Sequence, residues 1–370
     1  MSHNASIKNF SFIGIGKFVS IIVQALFYLF FAAVLEPEKY GELNVILALA
    51  LTFATVSRFG LNFSLQVQQA KKNIGFSDQI NTLFIILTSI AALILVPIDI
   101  FAAVLCFGAS LFIMNQQNLL GLRQYKKFMI NSILKSVLFF IIPILLFFVL
   151  DIPGIVLGMA IASLIGSFPF FKDLKLKPLT DIKKHFKVLS QNYIIDLLGL
   201  SILVDKLLIS HLFGFFIVGI YQFNLQILMA ISALPGVLGS YLISEESAGE
   251  SHRKISYLVV LTSILLAIGV IFLSPFIVNQ FFEKYSEGIF ALQIMTLSII
   301  PQSIWAIFSA KLFAKESIRI GYISIVNVGI ILILMTILGE FYGLVGLSIS
   351  VLISSIVVAL MGYFFNRKLN

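Results

Sequence analysis

Six ionisable side chains stand inside long apolar runs of this sequence: Lys17, Arg58, Lys135, Asp196, Asp205 and Lys206. At the centre of a membrane helix each such charge costs roughly 2.5–3.5 kcal/mol. Residues kept at that cost face a wet cavity, an ion path or a buried partner. Amide side chains accompany them at Gln24, Asn62, Asn118, Gln222, Asn224 and Gln302. Four cations against two acids favour an anionic cargo. Lys17, Gln24, Arg58, Asn62, Lys135, Gln222 and Asn224 are therefore the candidates for lining a substrate cavity. Asp196, Asp205 and Lys206 are the candidates for gating or coupling.

Each has a plainer competitor. Lys17 and Arg58 can snorkel from near the ends of their helices, and Lys135 starts only about two turns into its run. Asn and Gln side chains serve equally as hydrogen-bond partners between helices.

Catalytic chemistry finds no foothold. The four histidines, His3, His185, His211 and His252, lack metal-ligand spacing, and HExxH, CxxC, Walker A and GxSxG patterns are absent. "GIGKF" at 14–18 is too short for a phosphate loop and reads as helix packing. The lone Cys106 can form neither an internal disulfide nor a metal site. The expectation is a non-enzyme with no cofactor, no metal and no catalytic residues.

The elements that must position these groups are helices. The 370-residue chain is 59% hydrophobic and 11% charged, with a mean hydropathy of +1.06. Soluble domains carry about 25% charged residues, so most of this surface must face lipid. Twelve apolar runs are long enough to span a bilayer: 10–34, 43–66, 80–97, 100–120, 129–150, 154–171, 190–212, 216–242, 255–274, 288–309, 320–338 and 343–365. None alternates with a period of two, which excludes barrel strands. The first run reads as an uncleaved signal-anchor.

With the N-terminus in the cytoplasm, nineteen of the 25 Lys and Arg residues fall on the cytoplasmic side. Lys39 and Lys284 fall opposite, and four lie within spans. This positive-inside pattern puts both termini in the cytoplasm. The net charge of +8 is thereby a topology signal, and the lipid bilayer, not nucleic acid, is the partner it implies. The longest connection, "KDLKLKPLTDIKKHFKVLS" (172–190), is basic and is expected to lie on the membrane as a short amphipathic helix.

That connection separates two groups of six spans. The expected architecture is an all-α polytopic membrane protein of about twelve transmembrane helices, in two six-helix lobes around a central cavity. The lobes are residues 1–175 and 190–370, joined by a basic linker at 176–189. "LEPEKYGELNVILALA" (35–50) and "FGFFIVGIYQFNLQIL" (213–228) each place a Gly and a Tyr at an outer turn before an apolar helix, as a parallel internal repeat would.

In the seventh run Asp196 and Asp205 are nine positions apart and so point to opposite sides at about 100° per residue. Asp196 lies near the interface. Asp205 is deeper, and Lys206 sits 100° round from it, so the two need not share a partner. Asp205 either bonds to a helix of its own lobe or makes a lobe-to-lobe contact that breaks during opening.

"VDKLLISHLFGFFIVGIYQFNLQIL" (204–228) resembles the Asp-Arg/Lys, apolar run, Gly-x-Tyr pattern of Wzx-type O-antigen flippases, members of the multidrug/oligosaccharidyl-lipid/polysaccharide exporter superfamily. "LEPEKYGELNVILALA" resembles that family's first outer turn, and "LLGLRQYKKF" (119–128) the end of its fourth span. The resemblance implies two lobes alternating between inward- and outward-open states. It also implies an undecaprenyl-diphosphate-linked oligosaccharide carried to the periplasmic leaflet of the bacterial inner membrane, beside a polysaccharide polymerase and a chain-length regulator. A cation-coupled multidrug exporter of the same superfamily is the nearest alternative, with Asp196 or Asp205 as its coupling carboxylate. An outer-face polymerase or acyltransferase is disfavoured by the short outer loops.

Overall fold

The computed structural model describes residues 3–180, 189, 193, 200–247, 253–314 and 319–367. Every regular element among them is helical. The order is α1 (His3–Val34), α2 (Pro37–Arg58), α3 (Leu61–Ala70), α4 (Ile74–Leu95), α5 (Ile100–Gly121), α6 (Tyr125–Asp173) and α7 (Ser201–Ser247). Then come α8 (Arg253–Phe281), a 3₁₀ turn (Glu283–Gly288), α9 (Ile289–Thr296), α10 (Ile299–Ala314) and α11 (Arg319–Arg367).

Nine stretches among the described residues are long and apolar enough to cross a membrane. Three of them double back at a single residue of left-handed φ: Asp151 in α6 (φ 55°), Gly214 in α7 (φ 80°) and Gly343 in α11 (φ 56°). Nine stretches thus supply twelve spans, the seventh described from residue 200 onward. The chain is an all-α polytopic membrane protein.

The hairpins are tight. In α6 a Cβ added at Gly158 would lie 2.5 Å from Pro143 Cα, so the two arms meet backbone to backbone. Elsewhere the turns are capped by polar side chains. Asp99 accepts a hydrogen bond from Ala102 N at 2.8 Å and starts α5. Many large apolar side chains are exposed, among them Phe272 at 78% and Val149 at 77%. Burying such a side chain stabilises by about 1.5–3 kcal/mol, so these belong against acyl chains.

Two segments depart from the sequence reading. The second run, expected as one span over 43–66, is two helices. α2 ends at Arg58, and Phe59 (φ 47°) and Gly60 (φ 69°) break the helix before α3. Residues 174–180, expected within a surface helix, are not helical. Pro178 lacks a backbone donor and disfavours helix at Lys177. The segment is strapped to α4 instead. Thr82 Oγ1 donates to Lys177 O and accepts from Lys177 N, both at 2.9 Å, and Gln79 Nε2 donates to Thr180 Oγ1 at 3.1 Å. Lys177 Nζ also lies 3.2 Å from Asp78 Oδ2. The remainder of that expected helix, residues 181–188 and 190, lies outside the described residues.

The chain forms two compact units, Met1–Tyr28 with Ile46–Val204, and Leu29–Val45 with Asp205–Asn370. The first is built on a buried cluster that includes Leu61, Leu65, Ile80, Phe84, Leu111 and Met114. The second is built on one that includes Ile209, Val218, Tyr221, Met295, Met335 and Leu347.

Candidate functional site

The first unit holds a cavity of about 190 Å³ lined by α1, α5 and the first arm of α6. On α6, Ser132, Lys135, Ser136 and Phe139 recur at helical spacing and share one face. α1 contributes Ser20, Val23 and Gln24, and α5 contributes Phe112. Lys135 Nζ sits 3.9 Å from the centroid of the Phe139 ring and 5.2 Å from that of Phe112. The ring faces stabilise the ammonium by roughly 0.5–2 kcal/mol. Among the described residues Lys135 has no carboxylate in ion-pair contact.

A polar network adjoins this cavity. Ser136 Oγ lies 2.8 Å from Ser20 Oγ, and Ser132 Oγ donates to Gln116 Oε1 at 2.9 Å. Gln116 Nε2 donates to Asn131 Oδ1, which also accepts from Asn115 Nδ2 at 3.1 Å. Asn115 and Asn131 both donate to Gly166 O, at 2.9 and 2.8 Å. The network ties α5 to both arms of α6, and its amides are buried. Asn131→Leu would leave Gln116 Nε2 without its acceptor, at roughly 1–3 kcal/mol for the orphaned group. The expected result is a lower melting temperature in detergent, and an unchanged one would remove the network from the stability of this unit.

The other predicted residues are distributed as follows. Lys17 is exposed on α1 and, two turns before Gln24, shares its stripe. Arg58 is buried at the C-terminal end of α2 and donates to Thr55 Oγ1 at 3.1 Å. It was expected well inside a continuous span and stands instead at a break, where the helix dipole favours a cation. Asn62 is buried in the first turn of α3. Asn118 accepts from Gln69 Nε2 at 3.0 Å, and Gln302 donates to Ser298 Oγ at 3.1 Å. Asn224 Nδ2 donates to Gly288 O at 3.1 Å, which makes it a link within the second unit. Gln222 is buried and its Oε1 has no hydrogen-bond partner among the described residues. Asp196 lies outside the described residues.

Asp205 and Lys206 pair with each other, although their 100° separation on the helix did not require a shared partner. Lys206 Nζ is 3.2 Å from Asp205 Oδ1, and Tyr221 on the second arm of α7 donates to Asp205 Oδ2 at 2.9 Å. Both charges are almost fully buried, at 2% and 5% exposure. A long lysine stem can curl back along the helix, which a helical wheel of Cα positions does not register. The Asp205 bond therefore stays within its own unit.

Sequence reasoning missed the ring cage and the amide network. Ser132 and Ser136 flank Lys135 at helical spacing, and that pattern was the available signal.

The two units thus differ in charge. Among the described residues the first carries Lys17, Arg58 and Lys135 in its spans, whereas in the second Asp205 and Lys206 pair with each other; Asp196, within the sequence range of the first, lies outside the described residues.

Comparison with known proteins gives the same architecture. No protein-family profile matches the chain. An uncharacterized membrane protein of Methanocaldococcus jannaschii is 27% identical over 92% of each chain. Among solved structures, the lipid II flippase MurJ in an inward closed conformation matches with a TM-score of 0.74 at 17% identity, over 96% of this chain and 87% of that one. An inward-facing multidrug resistance MATE family transporter of the MOP superfamily matches at 0.69 with 14% identity, over 94% of each chain. A MOP superfamily transporter from Pyrococcus furiosus, noted for reverse polarity of its binding pocket, matches at 0.64 with 15% identity, over 98% and 95%. The chain has the fold of the MOP superfamily transporters.

Proposed function

We propose that this protein is a flippase that moves an undecaprenyl-diphosphate-linked oligosaccharide, an O-antigen or related surface-polysaccharide unit, from the cytoplasmic to the periplasmic leaflet. In this reading it lies in the bacterial inner membrane with both termini cytoplasmic, in keeping with the distribution of its basic residues. The six-span lobes of residues 1–175 and 190–370, joined by the basic segment 176–189, are the alternating pair. A polysaccharide polymerase and a chain-length regulator are the partners that would receive and extend the unit.

The observation that carries the reading is the sign of the intramembrane charge. Lys135 offers an ammonium with no carboxylate in ion-pair contact among the described residues, in a cavity that also presents hydroxyl and amide groups. A diphosphate or uronate would supply the missing negative charge, and the serines and Gln24 suit sugar hydroxyls. Lys17, Arg58 and Asn62 extend the same cationic, polar character in this unit.

The rival reading, a cation-coupled multidrug exporter, is supported by the fold shared with MATE transporters. It needs a carboxylate free to exchange ions: Asp205 is held by Lys206 and Tyr221, and Asp196, its other candidate, lies outside the described residues. Deleting the gene in its host separates the two. Lipid-linked glycan should accumulate in the cytoplasmic leaflet. Normal glycan export together with raised drug sensitivity would replace the flippase by the exporter.

A further inference from the structure

The second unit holds an apolar cavity of about 370 Å³ between α1, the second arm of α7, α8 and α9. Buried Phe223, Val278 and Leu292 form its floor, and the exposed side chains of Leu265, Leu273 and Ile277 form its rim. One face of α8 lines it from Leu265 to Phe282, just past the helix end. That is a length of about 25 Å at 1.5 Å per residue. Gly269 leaves this face bare, since a Cβ there would meet nothing within 4 Å. The hydrocarbon of one leaflet is about 15 Å deep, so the groove can take a lipid chain along its full depth.

Water does not suit this space. A buried water needs two to four polar partners. Ser274 is the only polar side chain in the lining, and its Oγ has no hydrogen-bond partner among the described residues. Ile271 O, which Pro275 deprives of its helical donor, already accepts from Gln293 Nε2 at 3.0 Å. Hydrocarbon is the filling that such walls accept.

One end of the groove is charged. Leu29 on α1 leads to Glu36 in the turn that follows, and Phe282 leads directly to Glu283 and Lys284. Lys284 Nζ lies 3.7 Å from Glu36 Oε1, with the Glu36 side chain 72% exposed. An exposed pair at that distance contributes little and parts readily. It presents a cation to a phosphate and, beside it, a carboxylate to an ammonium. A primary ammonium donates hydrogen bonds to a carboxylate, which a quaternary choline cannot do.

We propose that this groove is a phospholipid site: one acyl chain lies along α8 over Gly269, and an ethanolamine headgroup sets its phosphate on Lys284 and its ammonium on Glu36. The bound lipid fastens the end of α1 to α8 within this unit. The inference requires a bilayer and is independent of the cargo.

The test uses the full chain in vesicles of phosphatidylethanolamine and phosphatidylglycerol, with a trace of phosphatidylethanolamine carrying a diazirine in its acyl chain. Photolysis should label residues 265–277 severalfold more heavily than the exposed apolar face of α4 around Leu93. Gly269→Phe should cut that labelling severalfold and leave α8 folded, because the new ring enters open space. Glu36→Gln combined with Lys284→Gln removes the charges from the groove end and should lower the labelling independently. In detergent, added phosphatidylethanolamine should raise the melting temperature of the parent and leave that of Gly269→Phe unmoved. Labelling of α8 no stronger than that of α4, or unchanged in both variants, would overturn the site. Equal competition by unlabelled phosphatidylcholine, or stronger competition by undecaprenyl phosphate, would overturn the assigned occupant.

Discussion

Lys135→Met should reduce glycan movement about 10- to 150-fold while the protein still inserts and accumulates. A hydrogen bond to a charged group in a buried site contributes about 1.5–3 kcal/mol, and each 1.4 kcal/mol is a factor of ten. Methionine retains the packing volume beside Phe112 and Phe139, since a thioether also makes favourable contacts with aromatic rings. The loss would therefore report charge and not collapse of the cavity. Lys135→Arg keeps the charge on a wider, planar head and should recover part of the activity. The measurement is periplasmic-leaflet glycan in a deletion strain carrying each variant at matched membrane levels. Wild-type movement by Lys135→Met would take the cavity out of the cargo path.

The largest stability effect is expected at Asp205. Asp205→Ala removes the carboxylate paired with Lys206, which is buried at 5% exposure, and breaking a buried pair by removing one partner costs roughly 3–5 kcal/mol. That is a large share of the 5–15 kcal/mol that usually holds a domain together, so the variant should accumulate poorly and melt early. Lys206→Met should behave similarly by stranding the carboxylate. Asp205→Leu combined with Lys206→Met removes both charges and should recover most of the melting temperature, because hydrophobic replacements for a buried ion pair are often neutral or better. Recovery of stability without recovery of transport would give the pair a role beyond holding α7 together. A double variant as unstable as the singles would exclude the pair as the cause.

Much of the fold was legible because it follows from the solvent. A bilayer demands runs of about 20 apolar residues with all backbone groups bonded internally, and the runs assigned from hydropathy correspond to helices wherever the structure describes them. What escaped was set by single backbone angles. Phe59 and Gly60 break the second run, although Phe has no marked preference for positive φ. Asp151 turns a hairpin that Gly would more commonly turn. The segment around Pro178 took hydrogen bonds from α4 in place of a helix of its own.

At the candidate site the sequence exposed the charges but not their neighbours. Lys135 was identifiable as a cation in an apolar run, whereas its ring cage needs Phe112 from another helix. Asp205 and Lys206 were visible as adjacent charges, and their pairing depends on side-chain reach. Tyr221, which completes that pair from sixteen residues away, was visible as the Tyr of the Gly-x-Tyr pattern but not as a partner of Asp205.

The brevity of the turns has a consequence for handling the protein. In the first unit the connections at 96–99 and Asp151, and in the second those at 35–36, Gly214 and Gly343, are each no longer than four residues. Turns of that length offer an antibody no loop to grip and a protease no extended strand to thread into its cleft. An epitope tag inserted at Asp151 or Gly343 would force apart arms already in backbone contact. Tags, fluorescent fusions and crystallisation chaperones belong at the chain ends or in the long connection that follows α6.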